Sequence, residues 1–379
     1  KMAPHTVKGS YLVDMFALDE ELAQWEAALP EALGTPRLPL LVALAWHLRQ
    51  RDPVRARALS ADVVPLLGAL TPTDALLARG RVMLIGADAA WLNGELDTAQ
   101  YQAEQALVLF EQAAACHAGD SSASAGSAAL AAAIPRAIPC VVSPAADCAI
   151  ADAACATADA CWMLAWIAND RGDSAAGDRW LAQAGSAARA GGDPVRVDVM
   201  DAAAGICAAF GDWQTAQRQW NARFGTDLSG VPPIAAGWIS DYFGTCAFQR
   251  SEYGRAIGHL MRSFEVALVT GQIRRAIIIA TNIGNGFTSL NAHEAALDWM
   301  QRGLDLARPT GWPLSIGMCL MQTAETLRQL GQREAAQTLL REALSALSPL
   351  SGSRAYAVAL EYQGDLALDA LDLDALATQ

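Results

Sequence analysis

Lysine is almost missing from this chain. Of 379 residues only Lys1 and Lys8 are lysine, so nearly all of the positive charge is arginine. With 27 Lys and Arg set against 40 Asp and Glu, the formal net charge is −13. That balance argues against nucleic acid as a direct partner, because phosphate neutralisation needs clustered cations. It also removes any lysine-rich patch for a membrane surface. Alternating β-branched runs bounded by turn residues hardly occur, so strands are not expected. No proline-free run of about 18 apolar residues appears, and no transmembrane span is expected. Residues 1–21 lack an apolar stretch flanked by a cleavage site, so no secretory leader is read there. The eight cysteines then read as mostly buried thiols of a cytoplasmic protein rather than a disulfide framework. Lys1 ahead of Met2 reads as an extraneous residue, with Met2 the expected native start.

Catalytic constellations are equally scarce. The five histidines, His5, His47, His117, His259 and His293, show no His-Glu-x-x-His or comparable spacing. Cys140, Cys148, Cys155 and Cys161 stand six to eight residues apart, whereas zinc sites use close pairs separated by two to four residues. Residues 225–230 (GTDLSG) lack the lysine of a phosphate loop, and no Gly-x-Ser-x-Gly elbow occurs. Carboxylates three apart, Asp198/Asp201 and Asp369/Asp372, share helix faces without implying a cleft. No enzyme, no metal and no cofactor are expected within this chain.

What the chain does have is a rhythm. Hydrophobic residues make up 53% of it, and many are alanine, a strong helix former of little volume. Four turn signatures begin at 211 (GDWQTA), 251 (SEYGRA), 291 (NAHEAA) and 331 (GQREAA), a constant step of forty residues. A small residue stands seven positions before each, at Ala204, Gly244, Gly284 and Ala324, and an alanine five positions after, at Ala216, Ala256, Ala296 and Ala336. The pattern describes helix A, a tight turn and helix B, with small residues where the two helices meet. Such a pair cannot bury its apolar stripe alone, so neighbouring pairs must stack.

Earlier turns near 51, 94 and 172 extend the series, with Pro53 placed to open a helix B. The expected fold class is all-α, a right-handed superhelical α-solenoid of helix-turn-helix repeats. Residues 1–34 form an N-terminal helical cap, with an amphipathic stretch over 11–29. Residues 35–112 form repeats, and 113–150 are an Ala/Ser/Pro-rich insertion, partly disordered or loosely helical. Residues 151–379 form further repeats, the last one incomplete. In that unit helix A covers 356–368 and helix B opens near Asp374, so the chain is expected to be the front portion of a longer polypeptide or to end in a capping helix.

The repeats resemble the tetratricopeptide family, best at Gly284-x2-Phe287…Ala296 and Ala324-x2-Leu327-x3-Gly331…Ala336, although that family's period is 34. Segments 297–313 (LDWMQRGLDLARPTGWP) and 319–331 (CLMQTAETLRQLG) resemble the N-terminal arrays of bacterial GGDEF-type diguanylate cyclases. The resemblance implies an input or scaffolding role, and any cyclase activity would lie beyond Gln379, since the GGDEF motif is not in the chain.

The candidate binding surface is the inner face of the A helices, where residues forty apart stack into ladders. One ladder is Tyr242, Asn282, Gln322; another is Thr245, Asn285, Glu325. Beside them run Trp238, Ile278, Met318 and Asp241, Thr281, Met321. Amides and carboxylates beside aromatic and Met side chains suit a protein segment, a peptide or a small polar ligand, and a homodimer stays open. Trp91, Trp162 and Trp166 stand at comparable earlier positions, where core packing is the alternative role. Tetratricopeptide domains that clamp a C-terminal carboxylate use Lys and Asn; Asn282 matches such a position, but Arg328 is the only nearby cation, so a clamp of that kind is not expected. The expected function is a non-catalytic interaction or sensory input module regulating a diguanylate cyclase output. The runner-up is a ligand- or peptide-sensing array of a transcriptional regulator.

Overall fold

The helix pairs that turn at Ser251, Asn291 and Gly331 are closed by the same few backbone hydrogen bonds. At the turn around Asn291 the Asn291 N–H donates to the Thr288 carbonyl and the Ala292 N–H to the Phe287 carbonyl, both at 2.9 Å. Equivalent bonds close the turns at Ser251 and Gly331. This is the Schellman arrangement, which needs a left-handed residue just past the helix. Ser251 (φ 59°), Asn291 (φ 56°) and Gly331 (φ 73°) supply it, forty residues apart.

The computed structural model describes residues 13–34, 37–131 and 144–377. Among them the regular structure is helical throughout: α1 Asp19–Ala28, α2 Arg37–Leu48, α3 Pro53–Val63, α4 Pro72–Leu92, α5 Leu96–Ala131, α6 Pro144–Asp170, α7 Ser174–Gly191, α8 Pro194–Trp220, α9 Pro233–Gln249, α10 Tyr253–Val269, α11 Ile273–Ser289, α12 His293–Ala307, α13 Pro313–Gln329, α14 Arg333–Leu347 and α15 Arg354–Ala377. The chain forms two compact units, one drawn from Lys1–Ala89, Asp97–Ala165 and Arg179–Met200, the other from Ala90–Leu96, Trp166–Asp178 and Asp201–Gln379.

The second unit explains the period. Helices α9, α10 and α11 are each 17 residues long, joined by three-residue turns. A helix of that length spans about 25 Å, longer than the helices of a 34-residue repeat. First helices start at Pro233, Ile273 and Pro313, second helices at Tyr253, His293 and Arg333. Successive pairs stack in series, α11 lying against α13 and α13 against α15. The fold is an all-α array of tetratricopeptide-like pairs, the arrangement of an α-solenoid.

Packing follows the small residues. Ala256, Ala296 and Ala336 are fully buried, and Ala216 nearly so. A Cβ at Gly244 would lie 2.9 Å from Leu260, and one at Gly284 would lie 2.8 Å from Met300. The first repeat departs from the pattern. Ala204 is only half-buried, and the close approach is at Gly205, where a Cβ would meet the Tyr242 ring at 2.9 Å. The cause is the turn itself. Gly211 does not enter the left-handed region, and the helix instead breaks at Asp212 (φ −131°, ψ 87°). The Asp212 carboxylate caps the next segment, accepting from the Gln214 and Thr215 N–H groups at 3.1 Å.

Other boundaries differ from the pattern reading. The amphipathic stretch over 11–29 is helical only from Asp19, and residues 13–18 are not helical. Much of 113–150 extends neighbouring helices: α5 reaches Ala131 and α6 starts at Pro144, while 132–143 lie outside the described residues. Helix α15 continues through Asp374, where a second helix was expected to open. The stretch Ala149–Asp170 is long and apolar enough to cross a membrane, despite the expectation of no such run, and 72% of its apolar window is buried inside the protein. It is a core helix in this structure.

Replacing Gly284 with Leu should lower stability by about 1–3 kcal/mol through overpacking against Met300. Gly258→Ala, where nothing lies within 4 Å of the new Cβ, should stabilise by about 0.5–1 kcal/mol through helix propensity. Urea unfolding followed by circular dichroism checks both signs.

Candidate functional site

The eight ladder residues separate into two groups. Trp238, Asp241 and Tyr242 sit on α9, and all three are buried. The Trp238 indole N–H donates to Gln272 Oε1 at 3.1 Å, and the Arg275 guanidinium lies 3.8 Å from the centre of the Trp238 ring. Arg275 also donates to Asp241 Oδ2 at 3.1 and 3.2 Å, to Ser263 Oγ at 2.6 Å and to the Gly237 carbonyl at 3.1 Å. These groups form a bracket between α9 and α11. Burial pushes the Asp241 carboxyl above its ordinary value, opposed by Arg275, and burial likewise lowers Arg275. Tyr242 is wholly enclosed, its hydroxyl donating to Asn221 Oδ1 at 3.0 Å. Close packing of Gly205 on its ring leaves it no route to a groove.

The other five residues stay half-exposed on α11 and α13. Gln322 donates to the Tyr362 hydroxyl at 3.4 Å, so the ladder of Asn282 and Gln322 gains Tyr362 at the next forty-residue step. Glu325 receives both Arg328 donors at 2.8 and 2.9 Å, and Arg328 reaches Asp369 at 2.7 Å. Those bonds raise Arg328 above its ordinary value and occupy the cation a carboxylate clamp would need. Asn282 and Asn285 are different. They stand three apart on one helix face, and among the described residues neither side-chain amide meets a protein hydrogen-bond partner. Two open amides beside Ile278 and Met318 can donate to and accept from a peptide main chain or a small polar ligand.

The remaining tryptophans serve packing and ion-pair brackets. Trp91 donates to Asp170 Oδ2 at 2.7 Å, with the Arg274 guanidinium 4.2 Å from its ring centre and paired to the same carboxylate at 2.7 Å. Trp162 is buried against Phe16, and Trp166 lies 6.3 Å from Trp238.

A larger charged cluster in the first unit has no counterpart in the ladder reading. Arg81 and Arg196 both donate to Asp159, at 2.7 and 2.9 Å, and all three are buried. Arg49 and Arg81 lie over the Trp46 ring at 3.7 and 4.4 Å. Burial alone would raise the Asp159 carboxyl, but Arg196 and Arg81 outweigh it and hold it below its ordinary value. His47, buried beside Arg49 and Arg51, is pushed well below its ordinary value, first by burial and then by those cations.

Thiol chemistry is suppressed at the buried cysteines: burial drives Cys155 and Cys319 up to about 11, and Cys161 and Cys207 up to about 12, whereas Cys116 is exposed. Cys140 lies outside the described residues, and the Cys148 side chain is not described. Among the described residues no group of three or more His, Cys, Asp and Glu is placed to hold a metal ion.

No protein-family model matches the chain, and no curated protein sequence matches it. Among solved structures it is similar to a Rap protein complexed with competence and sporulation factor, at 12% identity and a TM-score of 0.47 over 92% of this chain and 93% of that one. It is similar to a signal-transduction ATPase of the STAND class with a tetratricopeptide repeat sensor from Pyrococcus horikoshii, at 12% identity and 0.45 over 93% of this chain and 51% of that one. It is similar also to the apo quorum sensor NprR from B. thuringiensis, at 11% identity and 0.40 over 91% of this chain and 97% of that one. Likeness of this degree assigns neither family nor function.

Arg275→Met leaves the Asp241 carboxylate buried without its counter-charge, which should cost about 3–5 kcal/mol at neutral pH. The folded-state value of Asp241, already raised, rises further in the variant. Its destabilisation should therefore grow as pH increases from about 4, the unfolded aspartate value, towards 7. Asp241→Asn in the same background should recover much of the loss, as read by urea unfolding at pH 4 and pH 7.

Proposed function

We propose that the chain is a non-catalytic interaction and sensory module, holding an extended peptide, protein segment or small polar ligand on the A-helix face of α11 and α13. The observation that carries this reading is the pair of open amides at Asn282 and Asn285, half-exposed between residues that are otherwise tied to protein partners. Amide side chains at helical spacing offer both donors and acceptors without the desolvation cost of a charge. The acidic balance of the chain and its scarcity of lysine speak for ligands other than nucleic acid or membrane surfaces.

The finer assignment is that occupancy of this face regulates a diguanylate cyclase output. Its support is the resemblance of 297–313 and 319–331 to the arrays that precede GGDEF domains. The second reading is a sensor array of a transcriptional regulator, favoured by the same open amides and distinguished by a helix-turn-helix output in place of a cyclase.

A melting-temperature screen against extended peptides and polar metabolites tests the binding reading, since a ligand of the folded state raises the midpoint. The expected hit loses affinity at least tenfold in Asn282→Ala/Asn285→Ala, while the unliganded midpoint stays within about 2 °C of the parent, because open surface amides contribute little stability. A hit that binds the double variant equally well would contradict the assignment.

A further inference from the structure

Residues 13–17 (VDMFA) are not helical, yet Val13, Met15, Phe16 and Ala17 are all buried while Asp14 faces out. The segment lies on helices of the first unit, and three side chains from those helices grip its main chain. Arg196 of α8 donates to the Val13 carbonyl at 2.9 Å, the Trp46 indole N–H of α2 to the Met15 carbonyl at 3.1 Å, and Arg51, just past α2, to the Ala17 carbonyl at 3.1 Å. The three accepting carbonyls belong to alternate residues of a segment that bends at Met15 and Phe16. The Phe16 ring meets Trp162 edge-on at 6.2 Å and lies 5.9 Å from the Arg49 guanidinium.

Arg196 is fixed independently of the segment by Asp159 and Asp193. Arg51 is held in part by the His47 carbonyl at 3.2 Å and in part by Asp19, at the start of α1, at 2.7 Å. The chain just beyond the segment is held mainly at its surface: α1 has no buried residue, it pairs through Asp19 with Arg51 and through Glu26 with Arg55, and past it Leu29 is buried while Leu33 is 78% exposed. A terminal arm of this kind can open without global unfolding.

We propose that this face is a peptide-binding groove occupied in cis. Val13–Ala17 is its built-in ligand, and a peptide of the same chemistry takes its place in trans once the arm is released. That chemistry is an apolar side chain at the first, third and fourth positions, a small one at the fifth, and main-chain carbonyls presented at alternate residues. The groove belongs to the first unit and is independent of the Asn282 and Asn285 surface.

Fluorescence anisotropy with a labelled, end-blocked peptide of residues 13–19 (VDMFALD) tests this on the full chain. The tethered segment competes at high effective concentration, so the parent should bind weakly. Met15→Asp/Phe16→Asp, which expels the apolar anchors, should bind the peptide at least tenfold more tightly, and a scrambled peptide should bind neither form. Because that variant can also lose structure, a second form carries a protease site between Leu33 and Gly34 and is nicked after folding. It should exchange its arm for the labelled peptide, whereas the uncut form should not. If the double variant loses its helical circular dichroism signal, the nicked chain alone decides. Peptide affinity unchanged by release of the arm, or equal binding of the scrambled peptide, overturns the proposal.

Discussion

Contact between helices A and B of a pair is the constraint on which the rest of this structure depends. Gly284 meets Met300 and Gly244 meets Leu260 at distances that leave no room for a Cβ. These contacts are met with helices of 15 to 17 residues and a reversal within three inside each pair, as the left-handed Ser251, Asn291 and Gly331 allow. Helices so rich in alanine bury modest apolar area, since each buried methylene contributes only about 0.8 kcal/mol. Buried Leu, Ile, Met and Phe side chains fill the core between the alanines, and arginines laid on tryptophans and tied to aspartates are added to it. The same grouping recurs at Trp91/Arg274/Asp170 and Trp238/Arg275/Asp241, with Trp46/Arg81/Asp159 a third case in the first unit.

These brackets cost desolvation free energy, and what they return is register. A buried pair broken on one side is more damaging than either residue absent, so the helices carrying Asp241 and Arg275 are held in one relative position. The same demand leaves few inner-face polar groups uncommitted. Farther along α11 the side chains of Asn282 and Asn285 stay half-exposed and outside any bracket. In the first unit the polar groups of the inner helices are turned instead onto the chain's own segment 13–17.

The period, the turn starts and the helix-B alanines were all legible in the sequence, because they repeat locally and depend on residue size. The ladder positions were legible as positions, and the Gln322–Tyr362 contact follows the forty-residue step. Their environments were not. Whether Tyr242 lines a groove or fills a core depends on Gly205 and Asn221, and nothing in a forty-residue window announces that contact. The pairing of Arg81 with Asp159 spans 78 residues and crosses the one interval where the rhythm is interrupted. Segment 13–17 reads as part of an amphipathic helix from its pattern, since non-helical docking on other helices leaves no periodic trace. The break at Asp212 replaces the expected glycine turn because a capping carboxylate does the same local work as a left-handed residue.

The forty-residue unit is tested most directly by excising one. Removing residues 293–332 joins Ala292 to Arg333, so that α11 is followed by α14 through an unchanged turn and Gly284 meets Leu340 in place of Met300. Removing only 293–326 deletes 34 residues and destroys that frame. Urea unfolding followed by circular dichroism should show the first deletion folding as a cooperative helical protein and the second losing its cooperative transition. Equal behaviour of the two deletions would contradict the account.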